Sequence, residues 1–92
     1  MILHKELYLE FISKRGVGEN DRVADSRLSY ISYLNSVSRL IGRDIGPDIL
    51  KAEADISRIK VELDGQRAPS TISNYCSAMR QYIAFVESEG LA

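Results

Sequence analysis

Cysteine and histidine are almost missing from this chain of 92 residues, which contains one of each. A single cysteine excludes an internal disulfide, so the composition favours a reducing compartment, the cytoplasm, over secretion. Cys76 and His4 lie far apart in the sequence and give no spacing typical of metal ligands. We therefore expect no metal site and no cofactor.

Long apolar runs and an excess of cations are also missing. No apolar stretch approaches the ~20 residues of a membrane span, and the residues after Met1 do not form a signal-peptide pattern. We therefore expect an intracellular chain with no membrane partner. The formal net charge is −1, from 12 basic and 13 acidic residues. That balance alone does not indicate nucleic-acid binding.

The length is that of one domain, residues 1–92, with little room for an enclosed active site. Apolar residues recur at helical spacing, and no stretch alternates with a period of two. The pattern predicts an all-α, compact bundle of four to five helices. The helices are expected at about 2–15, 21–41, 52–64 and 69–88, with a short helical turn at about 47–51.

Helix ends and core residues follow from the same pattern. Glycines 16, 18, 42, 65 and 90 fall where helices should end, and Asn20 or Asp21 is a suitable cap for the second helix. The residues predicted to face the core are Leu3, Leu7, Tyr8, Phe11 and Ile12, then Val23, Tyr30, Leu34, Val37 and Ile41, then Ala52, Ile56, Ile59 and Leu63, and finally Ile72, Tyr75, Cys76, Met79, Tyr82, Ile83 and Val86.

The second and fourth helices contain stretches that match each other, residues 26–34 and 71–79. In both, a hydroxyl residue is followed by Tyr four positions later and by Leu or Met after four more. Both stretches lie in regions without Asp or Glu. Away from the core they carry Ser, Asn, Gln and Arg, whereas Lys and Glu are commoner on a merely solvated helix face. Such side chains contact phosphates and base edges, so we predict a shared DNA-binding surface, with an ordinary solvated face as the alternative.

Residues 68–75 and 80–85 resemble the last helix of the core-binding domain of tyrosine recombinases, the SAM-like N-terminal domain of phage integrases. Residues 7–16 resemble the first helix of that domain and its exit, and residues 26–40 resemble its second helix. The resemblance extends over essentially the whole chain. The resemblance implies a four- or five-helix, SAM-like domain.

The resemblance also implies a function. The chain would be a DNA-binding domain of an integrase or site-specific recombinase, gripping duplex DNA with its second and fourth helices, weakly when isolated. A separate C-terminal catalytic domain, absent from this chain, would cleave the strands. Thr71 has an alternative, purely structural role, in which its side chain hydrogen-bonds to the backbone at the start of the helix. The residues carried over as DNA contacts are Arg27, Ser32, Asn35, Ser36, Arg39, Arg43, Ser70, Thr71, Ser73, Asn74, Ser77, Arg80 and Gln81.

The catalytic residues of a recombinase are not expected in this chain. That chemistry needs a His-x-x-Arg segment, but His4 is followed by Lys5, Glu6 and Leu7. The five tyrosines fit apolar stripes or their flanks and are interpreted as core residues rather than nucleophiles. We therefore expect a non-catalytic domain. The rival class is a helical protein–protein interaction domain of SAM-like type with no DNA role.

Overall fold

The first helix is shorter than its apolar pattern predicts. The computed structural model describes residues 1–15 and 23–91, and the side chains of residues 1–14 and 29–91; in it α1 spans Lys5–Arg15. Before it, Ile2 forms an isolated bridge with Ile45, in which Leu3 N–H donates to the Ile45 carbonyl at 2.7 Å and Ile45 N–H donates to the Met1 carbonyl at 2.8 Å. Leu3 and His4 then form a turn. The prediction of helix from residue 2 is therefore wrong for residues 2–4.

The inward face of α1 is also narrower than predicted. Tyr8 and Ile12 are fully buried, but Leu3 and Leu7 are 37% and 49% exposed. Because successive helical residues are turned by about 100°, Leu7 points to the flank of α1 when Tyr8 points inward. Leu3 lies in the turn before α1, where its side chain borders Gly46. The prediction of both leucines as core residues is wrong.

The other three helices are α2 (Val23–Ile41), α3 (Glu53–Leu63) and α4 (Pro69–Glu89). Gly90 ends α4 in the left-handed conformation, with φ of +65°, which glycine adopts without steric cost. At the start of α3, the Asp55 carboxylate accepts hydrogen bonds from the backbone N–H groups of Lys51 and Ala52. The predicted caps of α2, Asn20 and Asp21, lie outside the described residues.

The link between α2 and α3 is part of the core. Gly46 accepts hydrogen bonds from the N–H groups of Ile49 and Leu50, which forms the expected short turn. Ile45 before the turn and Leu50 within it are fully buried. The link is therefore fixed to the bundle by apolar burial as well as by its pairing with the N-terminal segment.

The core is built around α4. All seven residues predicted for its inward face are buried, and Ala78 and Phe85 are buried with them. Two tyrosines place their hydroxyls on backbone carbonyls: Tyr8 donates to Ala78 at 3.2 Å and Tyr82 donates to Leu3 at 2.6 Å. Burial is the main cause that raises the pKa of Tyr8, and it raises the pKa of Tyr82 to about 12. Both groups therefore stay protonated and serve packing.

The helix contacts define the arrangement of the bundle. α2 packs against α4, and each of the two also packs against α1 and α3, whereas α1 and α3 do not meet within the described residues. α2 and α4 therefore lie at opposite corners and touch across the centre. The expected all-α bundle is confirmed. Because α2 and α4 face each other through the core, their outward faces lie on opposite sides of the domain.

Candidate nucleic-acid interface

The outward face of α2 carries short hydroxyl residues and an arginine. Ser32, Ser36 and Arg39 follow each other at spacings of four and three, so they share one side of the helix. Ser32 and Arg39 are exposed and Ser36 is half-buried. The Arg39 Nη2 donates to the Ser36 hydroxyl at 3.3 Å. No described carboxylate pairs with Arg39, so its charge is available on this surface.

Three further predicted residues belong to α2 or its end. Asn35 lies on the flank of α2, half-buried beside the N-terminal segment in a shallow pocket with Met1 and His4. Arg43 follows the helix, and its Nη2 donates to Glu62 Oε2 of α3 at 2.8 Å. The side chain of Arg27 lies outside the described residues.

The outward face of α4 is polar and carries one cation, Arg80, which follows Ser73 and Ser77 at spacings of four and three. Ser70, Ser73 and Asn74 are exposed, while Ser77 and Gln81 are half-buried. The Ser77 hydroxyl donates to the Ser73 carbonyl at 3.3 Å. The Oε1 atom of Gln81 is buried and has no hydrogen-bond partner. Within the predicted set, the α4 residues on this face therefore supply hydrogen-bonding groups and one cation, Arg80, whose charge is already paired with Glu53.

The beginning of α4 has no side-chain cap. Ala68 occupies the N-cap and Pro69 the first helical position, and the first turn has no acidic residue. Thr71 is half-buried and makes no hydrogen bond to the helix end among the described residues. The alternative role of Thr71 in bonding backbone therefore gains no support from the geometry.

Arg43 and Arg80, both expected on one surface, lie apart. Arg80 Nε donates to Glu53 Oε1 of α3 at 3.0 Å, whereas Arg43 pairs with Glu62. The two glutamates are nine residues apart, which at about 100° per residue places them on opposite sides of α3. Arg43 therefore belongs with the α2 side of the domain and Arg80 with the α4 side. The structure brings together Ser32, Ser36, Arg39 and Arg43, but not these residues with the α4 set.

A cleft between α3 and α4 is lined by two cations, Lys60 and Arg67, that were not among the predicted site residues. It has a volume of about 410 Å³. Arg67 was recognisable as a basic residue of the acid-free region before α4, whereas nothing local distinguished Lys60 from an ordinary surface lysine. The lining residues are Lys60, Val61, Asp64, Arg67, Pro69, Ile72, Ser73, Cys76 and Arg80.

Two other kinds of feature are absent from the part of the chain that the structure describes. No cluster of three or more His, Cys, Asp or Glu side chains there could hold a metal ion. None of the described helices is both long and apolar enough to cross a membrane. Compared with known proteins, this chain matches no family model, no curated protein and no solved structure.

Proposed function

We propose that this chain is a DNA-binding domain of the integrase or site-specific recombinase type that contacts the backbone of duplex DNA with the outward face of α2. The observation that carries the proposal is the exposed Arg39 beside Ser32 and Ser36, on a face whose described side chains include no carboxylate. A guanidinium and neighbouring hydroxyls are the groups that bind phosphates.

Arg43 adds a second cation at the same end of α2. Its ion pair with Glu62 is about half exposed on both sides, at 46% and 41%. Exposed pairs of this kind contribute little to stability because water screens them. A phosphate can therefore replace Glu62 as the partner of Arg43 at little cost.

The division of the surface limits what the isolated domain can do. The outward face of α4 lies on the side of the domain opposite that of α2. We therefore assign the DNA contacts to the α2 side, and Arg80 and the α4 hydroxyls do not take part in them. Two or three cations give weak binding that depends strongly on salt. Strand cleavage would belong to a separate catalytic domain of the parent protein.

The test compares two arginines on opposite sides of the domain. Fluorescence anisotropy with a labelled duplex of about 20 base pairs, at about 50 mM salt, measures the affinity of the wild type, Arg39→Ala and Arg80→Ala. We expect Arg39→Ala to weaken binding about five- to tenfold, as for the loss of one phosphate contact, and to reduce the slope of log K against log salt by about 0.9. Arg80→Ala is the matched control, because it removes the same charge from a similarly exposed position.

Each outcome has a definite meaning. Equal weakening by both variants would show that charge alone, and not the α2 face, governs binding. No binding by the wild type at low salt would refute the proposal altogether. The result that supports it is a loss confined to Arg39→Ala.

A further inference from the structure

The cleft between α3 and α4 combines an apolar floor with a basic rim. Ile72 and Cys76 of α4 are 5% and 4% exposed and form its buried floor, and Val61 of α3 forms an apolar wall. Lys60 and Arg67 stand at the edge. The short connection between the two helices closes one end of the cleft, and the Arg80–Glu53 ion pair lies towards the other.

Val61 is the feature that packing does not explain. It is 75% exposed, although the inward residues of α3 are Ile56, Ile59 and Leu63. The other exposed large apolar side chains in the described residues belong to Met1, Leu3 and Leu7, in or near α1. Because α1 and α3 do not meet, Val61 is isolated from that group and borders only the cleft.

The two cations at the rim, Lys60 and Arg67, have no ion-pair partner among the described residues. Neither Lys60 nor Arg67 forms an ion pair with a described residue, and Arg67 donates only to the neighbouring Gln66 carbonyl, at 2.7 Å. Asp64 is the one carboxylate among the described residues that line the cleft, against Lys60, Arg67 and Arg80, of which Arg80 is paired with Glu53. The cleft is therefore locally positive in a chain whose net charge is −1.

We propose that this cleft docks a short acidic segment of a partner protein. An apolar side chain of the segment packs on Val61, Ile72 and Cys76, and its carboxylates bind Lys60 and Arg67. Charge complementarity selects an acidic partner, and the apolar floor selects a peptide over a phosphate backbone, which has no apolar group to bury there. The proposal does not depend on DNA binding by α2.

A second copy of this chain fits less well. The exposed apolar edge of α1 around Leu7 carries both signs of charge, with Lys5 and Lys14 as well as Glu6 and Glu10, and Glu10 is already paired with Lys14 at 2.9 Å. Such an edge offers little net attraction to a basic rim. A separate acidic partner is therefore the occupant that the charges favour.

The test selects binders from a random library of twelve-residue peptides displayed on phage, with the whole chain as target. We expect the enriched sequences to share an apolar residue flanked by two or more Asp or Glu residues. A selected peptide is then titrated against Val61→Ser, Lys60→Gln and Arg67→Gln. Each variant should weaken binding about tenfold, a change of ~1.4 kcal/mol.

Two matched controls separate the cleft from general effects. Arg39→Gln removes an exposed cation from α2, which does not line the cleft, and Leu7→Ser removes an exposed apolar residue from α1; neither should change peptide affinity. Because all five substituted positions are exposed, circular dichroism is expected to show an unchanged fold. The proposal is overturned by absence of enrichment, by enriched peptides without acidic residues, or by unchanged affinity in Val61→Ser.

Two further experiments distinguish docking of an acidic segment from DNA binding and from self-association. A duplex of about 20 base pairs should not displace the bound peptide, whereas displacement would assign the cleft to nucleic acid. Concentration-dependent mass in sedimentation that disappears with Val61→Ser would assign the cleft to a second copy. Either result would overturn the acidic-partner assignment, and loss of DNA binding by Arg39→Ala would leave it untouched.

Discussion

Replacing Tyr82 with Phe tests the contact that fixes the N-terminal segment to α4. The Tyr82 hydroxyl donates to the Leu3 carbonyl at 2.6 Å, across 79 positions of sequence, while Leu3 N–H bonds to Ile45. The ring itself is buried against Tyr8 and Phe85. The substitution keeps the ring packing and deletes only the hydrogen bond.

The expected loss at neutral pH is that of one hydrogen bond. A neutral intramolecular hydrogen bond contributes about 0.5–1.5 kcal/mol to the free energy of unfolding. Because this hydrogen bond is only partly buried, the full penalty of a buried unsatisfied group does not apply to the Leu3 carbonyl after the substitution. We therefore expect Tyr82→Phe to lower the free energy of unfolding by about 1 kcal/mol at pH 7.

Alkaline pH should remove this difference. The pKa of Tyr82 is raised to about 12, first by burial and second by the charge of Asp48. A phenol whose pKa is higher in the folded state stabilises the fold fully below its unfolded pKa of about 10, and loses that contribution as pH rises from 10 through 12. At pH 11 the wild type has lost roughly 1 kcal/mol by this route and Tyr82→Phe has not, so their stabilities should meet there.

Urea unfolding followed by far-ultraviolet circular dichroism at pH 7, 9, 10 and 11 measures both effects. Tyr33→Phe is the control, because Tyr33 packs its ring against Tyr75 and its hydroxyl bonds to no described residue. Equal stability of Tyr82→Phe and wild type at pH 7 would refute the hydrogen-bond argument. A gap that stays constant up to pH 11 would refute the raised pKa.

Three further outcomes follow from local geometry. Asp55→Ala should lower the free energy of unfolding by about 1 kcal/mol, because the carboxylate caps the start of α3. Backbone N–H bonds, that of Lys51 first, lower the pKa of Asp55. Urea titrations should therefore show the difference from wild type shrinking as pH falls below about 4. Gly90→Ala should lower the thermal midpoint by an amount equivalent to about 1 kcal/mol, because a side chain is strained at φ of +65°; an unchanged midpoint would mean that the helix end unwinds freely. Glu62→Ala should strengthen duplex binding in the anisotropy assay, since it releases Arg43; weaker binding would contradict the assignment of Arg43 to the DNA side.

Some features of this fold are encoded locally and could be predicted. Every residue predicted for the inward stripe of α4 is buried, because the stripe has the period of the helix and each predicted member is apolar, although Ala78 and Phe85 are buried as well. The ends of α2 and α4 were predicted because Gly42 and Gly90 adopt a left-handed conformation that ends a helix without steric cost. These signals depend on the backbone and on neighbours within one or two turns.

Other features depend on contacts between distant segments. Residues 2–4 leave the helical pattern because Ile45 offers backbone hydrogen bonds to Leu3, and no local signal marks that pairing. The helical period predicted Leu3 and Leu7 as core residues, but Tyr8 and Ile12 are the residues that are buried there. The exposure of Val61 became informative only when α3 and α4 were seen to form a cleft around it.

The candidate sites divide in the same way. The sequence by itself determined four helices, an acid-free outer face on α2 and on α4, and which residue types those faces carry, because composition and period are properties of each helix alone. Only the tertiary structure decided that the two faces point in opposite directions. It did so because α2 and α4 pack against each other through the core, and a helix that buries one side against its neighbour must turn the other side away from it.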